Sequence, residues 1–525
     1  MQWFDYDPHG DSALEARLAD LDEQGRLDAV RTAERGAWVA AVHTQQLQWG
    51  AGEAATRAAE QLGLPDTYVV ATGQQVGLFG GPLYAVLKAA TAVRLCRQLA
   101  ERFPGKRFVP TFWMASSDSD FEEVRRSWII DQRGEPLEIS LPPAGPEDEG
   151  LVVSRRDTRA AIDTALSQVA EALPGGSCRD DVLDALRTDY ATGGLVEGFA
   201  RWMARLFAGT ELVLIDPQDP VLMQCARPLI RRELETAAET ERLLAERNDE
   251  LESAGYVPQV ERLPGDTGLF LLDQHGRRDK LARHGAGFLL RSARTELSGT
   301  ELLTIADVTP ERFVAGVTLR PLYQNTLFPV AAFVGGGAEI AYRAQVTAVF
   351  AHHGQRMAPA YPRASATLLT DKLAGVPDEL GLELTDCFAA PQDLAQRVVA
   401  GSRPPQVDQA LADYRRAITE ADAGLRAVAA ELDPTLEQSF ETLRGNLERH
   451  VEKLEKKITS SLKRQGEVVV GRATRLQSLV YPLQMPQERA LAALSFLPRY
   501  GFGLVPQLID RLTVPGWEHQ VVTLE

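Results

Sequence analysis

Apolar and polar positions along this 525-residue chain fall into three regimes. Residues 12–61, rich in Ala, Leu, Glu and Arg, carry the mixed pattern of helices that cover an outer face. At Tyr68-Val-Val-Ala-Thr72 the pattern changes to a short β-favouring run that ends in Gly73. The turn Gly73-Gln-Gln-Val-Gly77-Leu-Phe-Gly80-Gly81-Pro82 leads into a helical stretch reaching about Glu101, with Leu83, Leu87, Ala90 and Val93 as its apolar stripe. Pro82 suits the first turn of that helix, where its missing N–H would be an orphan donor anyway. Phe108-Val-Pro-Thr-Phe-Trp-Met-Ala115 is almost wholly apolar and of strand length, as a buried parallel strand would be. Strand, turn, helix and strand together predict a right-handed βαβ unit.

Leu212–Asp216 and Val330–Val334 add two strands, and the second runs into Gly335-Gly336-Gly337 and a helix over Ala338–Gln345. The third regime is the most regular. Val407, Leu411, Tyr414, Ile418, Ala421, Leu425, Val428 and Leu432 alternate spacings of four and three after the Pro404-Pro405 break. Beyond Asp433-Pro434 the alternation resumes at Leu436, Phe440, Leu443, Leu447, His450 and Leu454, then weakens at Lys457. Two such seams, each roughly 35–40 Å long at ~1.5 Å per residue, predict an antiparallel coiled-coil hairpin. The organisation expected is an N-terminal helical segment (1–61) and an α/β core (62–375). The core carries a helical insertion near 151–207 and a mixed one near 255–310. A helical coiled-coil domain (376–475) and a C-terminal segment returning to the core (476–525) complete it.

Composition narrows the function classes. With 56 Lys+Arg against 73 Asp+Glu the formal charge is −17, which argues against a nucleic-acid binder. The four cysteines, Cys96, Cys178, Cys225 and Cys387, lie far apart with no CxxC pair, so neither a disulfide framework nor a zinc knuckle is expected. No run reaches 18 apolar residues, and the first residues lack the basic-then-apolar pattern of a signal peptide. No membrane partner and a cytoplasmic location are the expectation.

In an open parallel sheet, ligands bind beyond the carboxyl ends of the strands, so chemistry is sought in the turn leaving each strand. The Gly73–Gly81 turn, with Lys88 two turns further on, can cradle a phosphate or be no more than a tight turn. It matches neither GxGxxG nor GxxxxGK[ST], which removes the dehydrogenase and P-loop readings. After the second strand come Ser116-Ser117-Asp118-Ser119-Asp120-Phe-Glu122-Glu123. Asp118 and Asp120 can hold Mg²⁺ or an amine, while Ser119-x-x-Glu122 also reads as a capping box. Asp216, ending its strand before Pro217, has the same two readings. Glu339, Tyr342 and Gln345 fall near one helix face beside the Gly335–Gly337 hinge, as a substrate wall or as exposed surface. Histidine spacings of zinc hydrolases and the G-x-S-x-G elbow are both absent from the chain.

Particular words go further than the pattern. Thr72-Gly-Gln-Gln-Val-Gly-Leu-Phe-Gly-Gly-Pro-Leu-Tyr84 with Lys88, Pro110–Ala115 followed by Asp118-x-Asp120-Phe-x-Glu123, and Gly255-Tyr-Val-Pro-Gln259 form one set. Leu319–Leu327, Gly335–Gln345, Pro362–Leu368, Gln487–Arg489 and Phe496–Gly501 form another. Together they resemble the bacillithiol biosynthesis cysteine-adding enzyme family over nearly the whole chain. The resemblance implies a Rossmann-like core like that of class I nucleotidyltransferases, with two insertions and a coiled coil that forms a homodimer. It also implies the last step of bacillithiol synthesis, in which ATP-activated cysteine is joined to the amine of glucosaminyl-malate. On the matched positions it marks Gln74, Asp118 and Asp120 as catalytic. Gly73, Gln75, Gly77, Gly80, Gly81, Tyr84, Lys88, Trp113, Gln259, Gly336, Glu339, Tyr342, Arg363 and Ser365 are marked as substrate- or nucleotide-binding, and Asp216 joins them from its place at the end of a strand. Ser119 stands where the family carries His between its two acids, Val257 replaces another His, and no H-x-G-H occurs. These departures keep open a ligase with another acceptor and a non-catalytic nucleotide- or thiol-binding scaffold.

Overall fold

The computed structural model describes residues 3–7, 12–23, 29–402 and 406–525. The chain forms two compact units, Met1–Leu368 with Pro486–Glu525, and Leu369–Met485. The Pro404-Pro405 break lies outside the described residues.

The centre of the first unit is a five-stranded parallel sheet. In chain order its strands are β1 (Thr67–Gln74), β2 (Arg107–Met114), β3 (Val213–Ile215), β4 (Val330–Gly335) and β5 (Ala360–Pro362), and across the sheet they run β5-β4-β1-β2-β3. The apolar runs in the sequence are these strands because they are covered on both faces: every residue of β4 and all but the first of β2 are buried. Helix α1 (Leu83–Arg102) connects β1 to β2, with Pro82 at its N-cap rather than inside the first turn. Helix α2 (Gly337–His352) follows β4. The order reverses at β1: the chain leaves it towards β2 and later returns to its other side with β4. That makes the β1/β4 edge the topological switch point. The N-terminal helix Ala13–Glu23 is fastened to this layer by Arg17, buried, which donates to Val330 O at 3.0 Å and Asn325 Oδ1 at 2.7 Å.

Both insertions are ordered. Helices Arg159–Ala172, Arg179–Tyr190 and Leu195–Leu206 make up the first. The second is a five-stranded antiparallel sheet containing Asp266–Leu272, Arg278–His284, Gly287–Leu290, Thr295–Leu297 and Phe313–Ala315, so it runs past the expected end near 310. Strand alternation explains its two faces: Leu269, Leu271 and Leu281 join the buried core, while Phe270, Arg278 and Lys280 share the opposite face.

In the second unit, helices Gln406–Leu432 and Glu437–Val480 form an antiparallel hairpin laced by Arg415–Glu455 and Arg426–Glu441 ion pairs. The unit begins at Leu369 and ends at Met485 rather than at 376 and 475, because Leu369, Val376, Cys387, Leu476 and Val480 share one cluster. The predicted seam is only half used. Leu411, Ile418, Phe440 and Leu447 are half-buried, but Leu425, Val428 and Leu432 are 61%, 59% and 79% exposed, and Leu443 and Leu454 are exposed too. The buried Ala429 and Val451 each stand one residue beyond a predicted seam position. The apolar band is wider than the contact line one helix can cover. Among the described residues no helix is long and apolar enough to cross a membrane.

The turn after β1 gives a direct test of the packing. Gly80 has φ +94°, and an added Cβ would lie 3.2 Å from the indole of fully buried Trp202. Gly80→Ala is expected to cost about 2 kcal/mol, read as a lower urea midpoint at unchanged m-value.

Candidate functional site

At the switch point, Lys88 of α1 turns inward and is 3% exposed. A buried ammonium survives only if its three donors are met, and here all three are. Nζ donates to Gly73 O at 2.9 Å and Gln74 Oε1 at 2.7 Å, and pairs with Glu339 Oε2 at 2.5 Å. Burial lowers the lysine's pKa and Glu339 opposes that shift. Glu339 reaches this position because it is the third residue of α2, where its carboxylate also accepts the Gly336 N–H at 2.7 Å. One lysine thereby joins the ends of β1, α1 and α2. Gln74 passes the network on, its Nε2 donating to Tyr84 Oη at 3.3 Å. Burial, Glu123 and Glu339 push the Tyr84 hydroxyl up to about 12 against nearby Arg363 and Arg489. Tyr342 lies close by, its hydroxyl raised by burial and by Glu339.

The loop after β2 meets the loop after β1. Gln75 Nε2 donates to Asp118 Oδ2 at 3.1 Å. Asp118 Oδ1 accepts the Ser119 N–H at 2.8 Å and pairs with Arg278 Nη2 at 3.0 Å. Burial alone would raise this carboxyl, but Arg278, Arg320, the Asp120 N–H and Gln75 hold it below the usual carboxylate value. Asp118 is therefore an ionised acid at neutral pH. Asp120 serves a different purpose, since its Oδ1 accepts the Glu123 N–H at 3.1 Å and caps the one-turn helix Phe121–Val124. The cap is Asp120, one residue later than the Ser119 box expected from sequence, because Ser119 O is drawn to the Phe121 N–H.

Two site residues were not legible in the sequence. Arg278 arrives from the insertion sheet and Arg320 from the start of the short helix Arg320–Leu327. Arg320 is near enough to influence the titration of Asp118, Lys88, Arg278 and Tyr342, which places it among them. Its own side chain makes no ion pair or hydrogen bond among the described residues. The only signals were an Arg inside the Leu319–Leu327 word and a cation spacing of two in a strand-like run.

Other predicted residues stand elsewhere or are otherwise engaged. Gly77, Gly80 and Gly81 are buried, and their N–H groups donate to Gln75 O, Gly77 O and Leu78 O. The turn therefore offers no free N–H from these glycines to a phosphate, contrary to the cradle reading. Gly73 has a packing reason: a Cβ there would sit 2.5 Å from Trp113 O on β2. Trp113 is itself core, 5% exposed and edge-on to Tyr323 at 4.9 Å. Asp216 accepts from Ser116 Oγ at 2.6 Å, fastening the loop after β3 to the loop after β2. Burial raises its carboxyl. Gln259 is held through its N–H by Gln345 Oε1 at 2.9 Å, so Gln345 is a buried clamp rather than part of a substrate wall. Arg363 and Ser365 both bind Glu488 Oε1, at 2.6 and 3.0 Å, tying the C-terminal segment to the end of the sheet.

Donor chemistry does not fit a resident Mg²⁺. Asp118 is committed to a guanidinium and Asp120 to a helix cap, and no group of three His, Cys, Asp or Glu among the described residues can hold a metal ion. Removing one partner of a buried ion pair leaves the other charge stranded. Lys88→Met and Glu339→Gln are each expected to lose about 2–3 kcal/mol, while the double variant loses less than the sum. Urea unfolding of the wild type and the three variants checks this.

Comparison with known proteins agrees with this architecture. The model for the N-terminal Rossmann-like domain of bacillithiol biosynthesis BshC matches residues 1–364, and that for its C-terminal coiled-coil domain matches residues 366–524. Relatives bearing the name "Putative cysteine ligase BshC" include one from Koribacter versatilis, 36% identical over 87% of this chain and 84% of its own. One from Symbiobacterium thermophilum is 32% identical over 99% and 95%, and one from Salinibacter ruber 33% over 94% and 90%. With both domain models matched in order and such relatives covered almost end to end, the chain belongs to the BshC family of bacillithiol biosynthesis.

Proposed function

We propose that this protein joins cysteine to the amine of glucosaminyl-malate as the last step of bacillithiol synthesis, with ATP activating the cysteine carboxylate. The observation that carries the reading is the meeting of opposite charges at the ends of adjacent parallel strands. Arg320 offers a place for a carboxylate or phosphate, and ionised Asp118 a place for an ammonium. In the reaction a cysteine carboxylate oxygen attacks the α-phosphorus and pyrophosphate leaves. The acceptor amine, once deprotonated, then attacks the acyl carbon, the C–N bond forms and AMP leaves. Asp118 suits the amine because Oδ2 is held only by the Gln75 amide, which an ammonium can displace. Gln74 is a positioning residue, since it holds both Lys88 and Tyr84. None of the four cysteines is in a disulfide, in keeping with a cytoplasmic enzyme.

Purified protein supplied with ATP, cysteine and glucosaminyl-malate is expected to yield bacillithiol, AMP and pyrophosphate by mass spectrometry. Asp118→Asn should lower kcat/KM about 100-fold, and Gln74→Ala should lower it less. Folded protein that forms no product under any nucleotide condition would remove the reading. Pyrophosphate exchange that responds to another amino acid would redirect it to a different ligase.

The exposed band on the hairpin supports the homodimer that the family resemblance implies. Tyr414, Leu425, Val428 and Leu432 form a long apolar stripe at helical spacing, large enough to call for a cover. The wild type is expected to run at twice the 57.5 kDa chain mass in light scattering, and Leu425→Glu with Val428→Glu as a monomer. A wild type at the single-chain mass sinks the dimer.

A further inference from the structure

The insertion-sheet face that carries Arg278 to Asp118 also carries Lys280, to which the proposed reaction gives no role. Phe270 lies opposite Lys280 in the antiparallel ladder and two residues along from the Leu272–Arg278 pair. Its ring centroid is 4.3 Å from the Arg278 guanidinium carbon and 4.4 Å from Lys280 Nζ. Beside the ring lies Gly316, where an added Cβ would come within 3.1 Å of the Phe270 edge, and Gly316 O accepts the Arg320 N–H at 2.8 Å. Two cations from one strand thus lie over one aromatic ring, and Arg320 stands close enough to Arg278 to bear on its charge. Among the described residues, Asp118, 3.0 Å from Arg278, is the one carboxylate in an ion pair with any of the three. The side chains of Lys280 and Arg320 make no ion pair or hydrogen bond among the described residues, and Arg278 Nε is buried without a partner. A cleft of 470 Å³ opens beside the Arg278 end, lined by Arg277, Arg278 and Arg312 together with Glu149, Asp273 and Asp279.

Half-buried cations in excess of their counter-charges are costly, and an anion that completes them recovers that cost. The ring can hold the cations in place but supplies no oxygen acceptor. We infer that Arg278 and Lys280 against Phe270, with Arg320 beside Arg278, form a subsite for a multiply charged oxyanion group, either neighbouring carboxylates or linked phosphates. The subsite deepens the ligase reading, which supplies two sources of that chemistry: the malate end of the acceptor and the phosphates of the nucleotide.

Calorimetric titration of the full-length protein with malate and with pyrophosphate separates the sources without any turnover. At least one of the two should bind, with affinity reduced about tenfold in Lys280→Gln and in Arg320→Gln and kept within about threefold in Lys280→Arg. Binding of malate assigns the subsite to the acceptor, and binding of pyrophosphate alone assigns it to the nucleotide. A pH series guards against a folding artefact in the glutamine variants. Burial, with Arg262 and Arg278 adding to it, lowers Lys280 to about 8 against the pull of Asp266 and Glu233. Wild-type affinity should therefore fall above about pH 8 relative to Lys280→Arg. Absence of binding by both anions overturns the subsite, as does wild-type affinity in Lys280→Gln. Either result leaves the ligase assay to stand or fall by itself.

Discussion

The arrangement of this site hangs on one buried lysine. Lys88 has no water to fall back on, so its three donors fix the end of β1, the first turn of α2 and the side chain of Gln74 relative to each other. Glu339 is bound from two sides, by Lys88 and by the Gly336 N–H, which makes the helix start and the strand end one rigid piece. A hydrophobic residue at position 88 would pack as well and would leave none of this specified. A buried pair is weak evidence for stability but a good device for holding a geometry, and the switch point of a parallel sheet is where geometry is needed.

Charge around that lysine is almost balanced. Lys88 answers Glu339, Arg278 answers Asp118 and Arg363 answers Glu488, each within 3.0 Å. Arg320 is left over, as is Lys280 on the neighbouring sheet. A site balanced except for cations at one side has a polarity, with surplus positive charge there and the ionised Asp118 facing it. Asp118 keeps its ionisation because Arg278, Arg320 and its hydrogen bonds together outweigh burial, whereas at Lys88 burial outweighs Glu339 and lowers the ammonium. The overall charge of −17 conceals this local surplus entirely.

Much of the core was legible because strands covered on both faces leave unbroken apolar runs and the intervening turns leave glycines. The residues of those turns were harder to interpret. Gly77, Gly80 and Gly81 resemble a phosphate loop in composition, yet their conformation and N–H bonds serve the fit against Trp202 and the turn itself. Arg278 and Arg320 escaped notice for a topological reason. They come to Asp118 from positions 160 and 202 residues further along the chain (278 − 118 and 320 − 118), through an insertion whose pairing has no local signature. The hairpin shows the opposite case: its periodicity predicted the helices correctly, but a heptad pattern does not say which partner covers each position. Leu425 and Val428 read as seam residues and lie outside it.

Position 119, a serine where the family carries histidine, bears on whether the chemistry is retained. Ser119 contributes to the Asp118 turn through its backbone alone: its N–H donates to Asp118 Oδ1 and its carbonyl accepts the Phe121 N–H. Neither bond depends on the side chain, so the aspartate keeps its position and charge whatever residue stands there. The substitution therefore leaves intact the frame that holds Asp118, Gln75 and Arg278 together. A chain released from the family's chemistry would have no need to keep an ionised, half-buried aspartate paired across an insertion. This one keeps it at 3.0 Å, which favours a retained carboxylate-and-amine chemistry over a scaffold that merely inherited the fold.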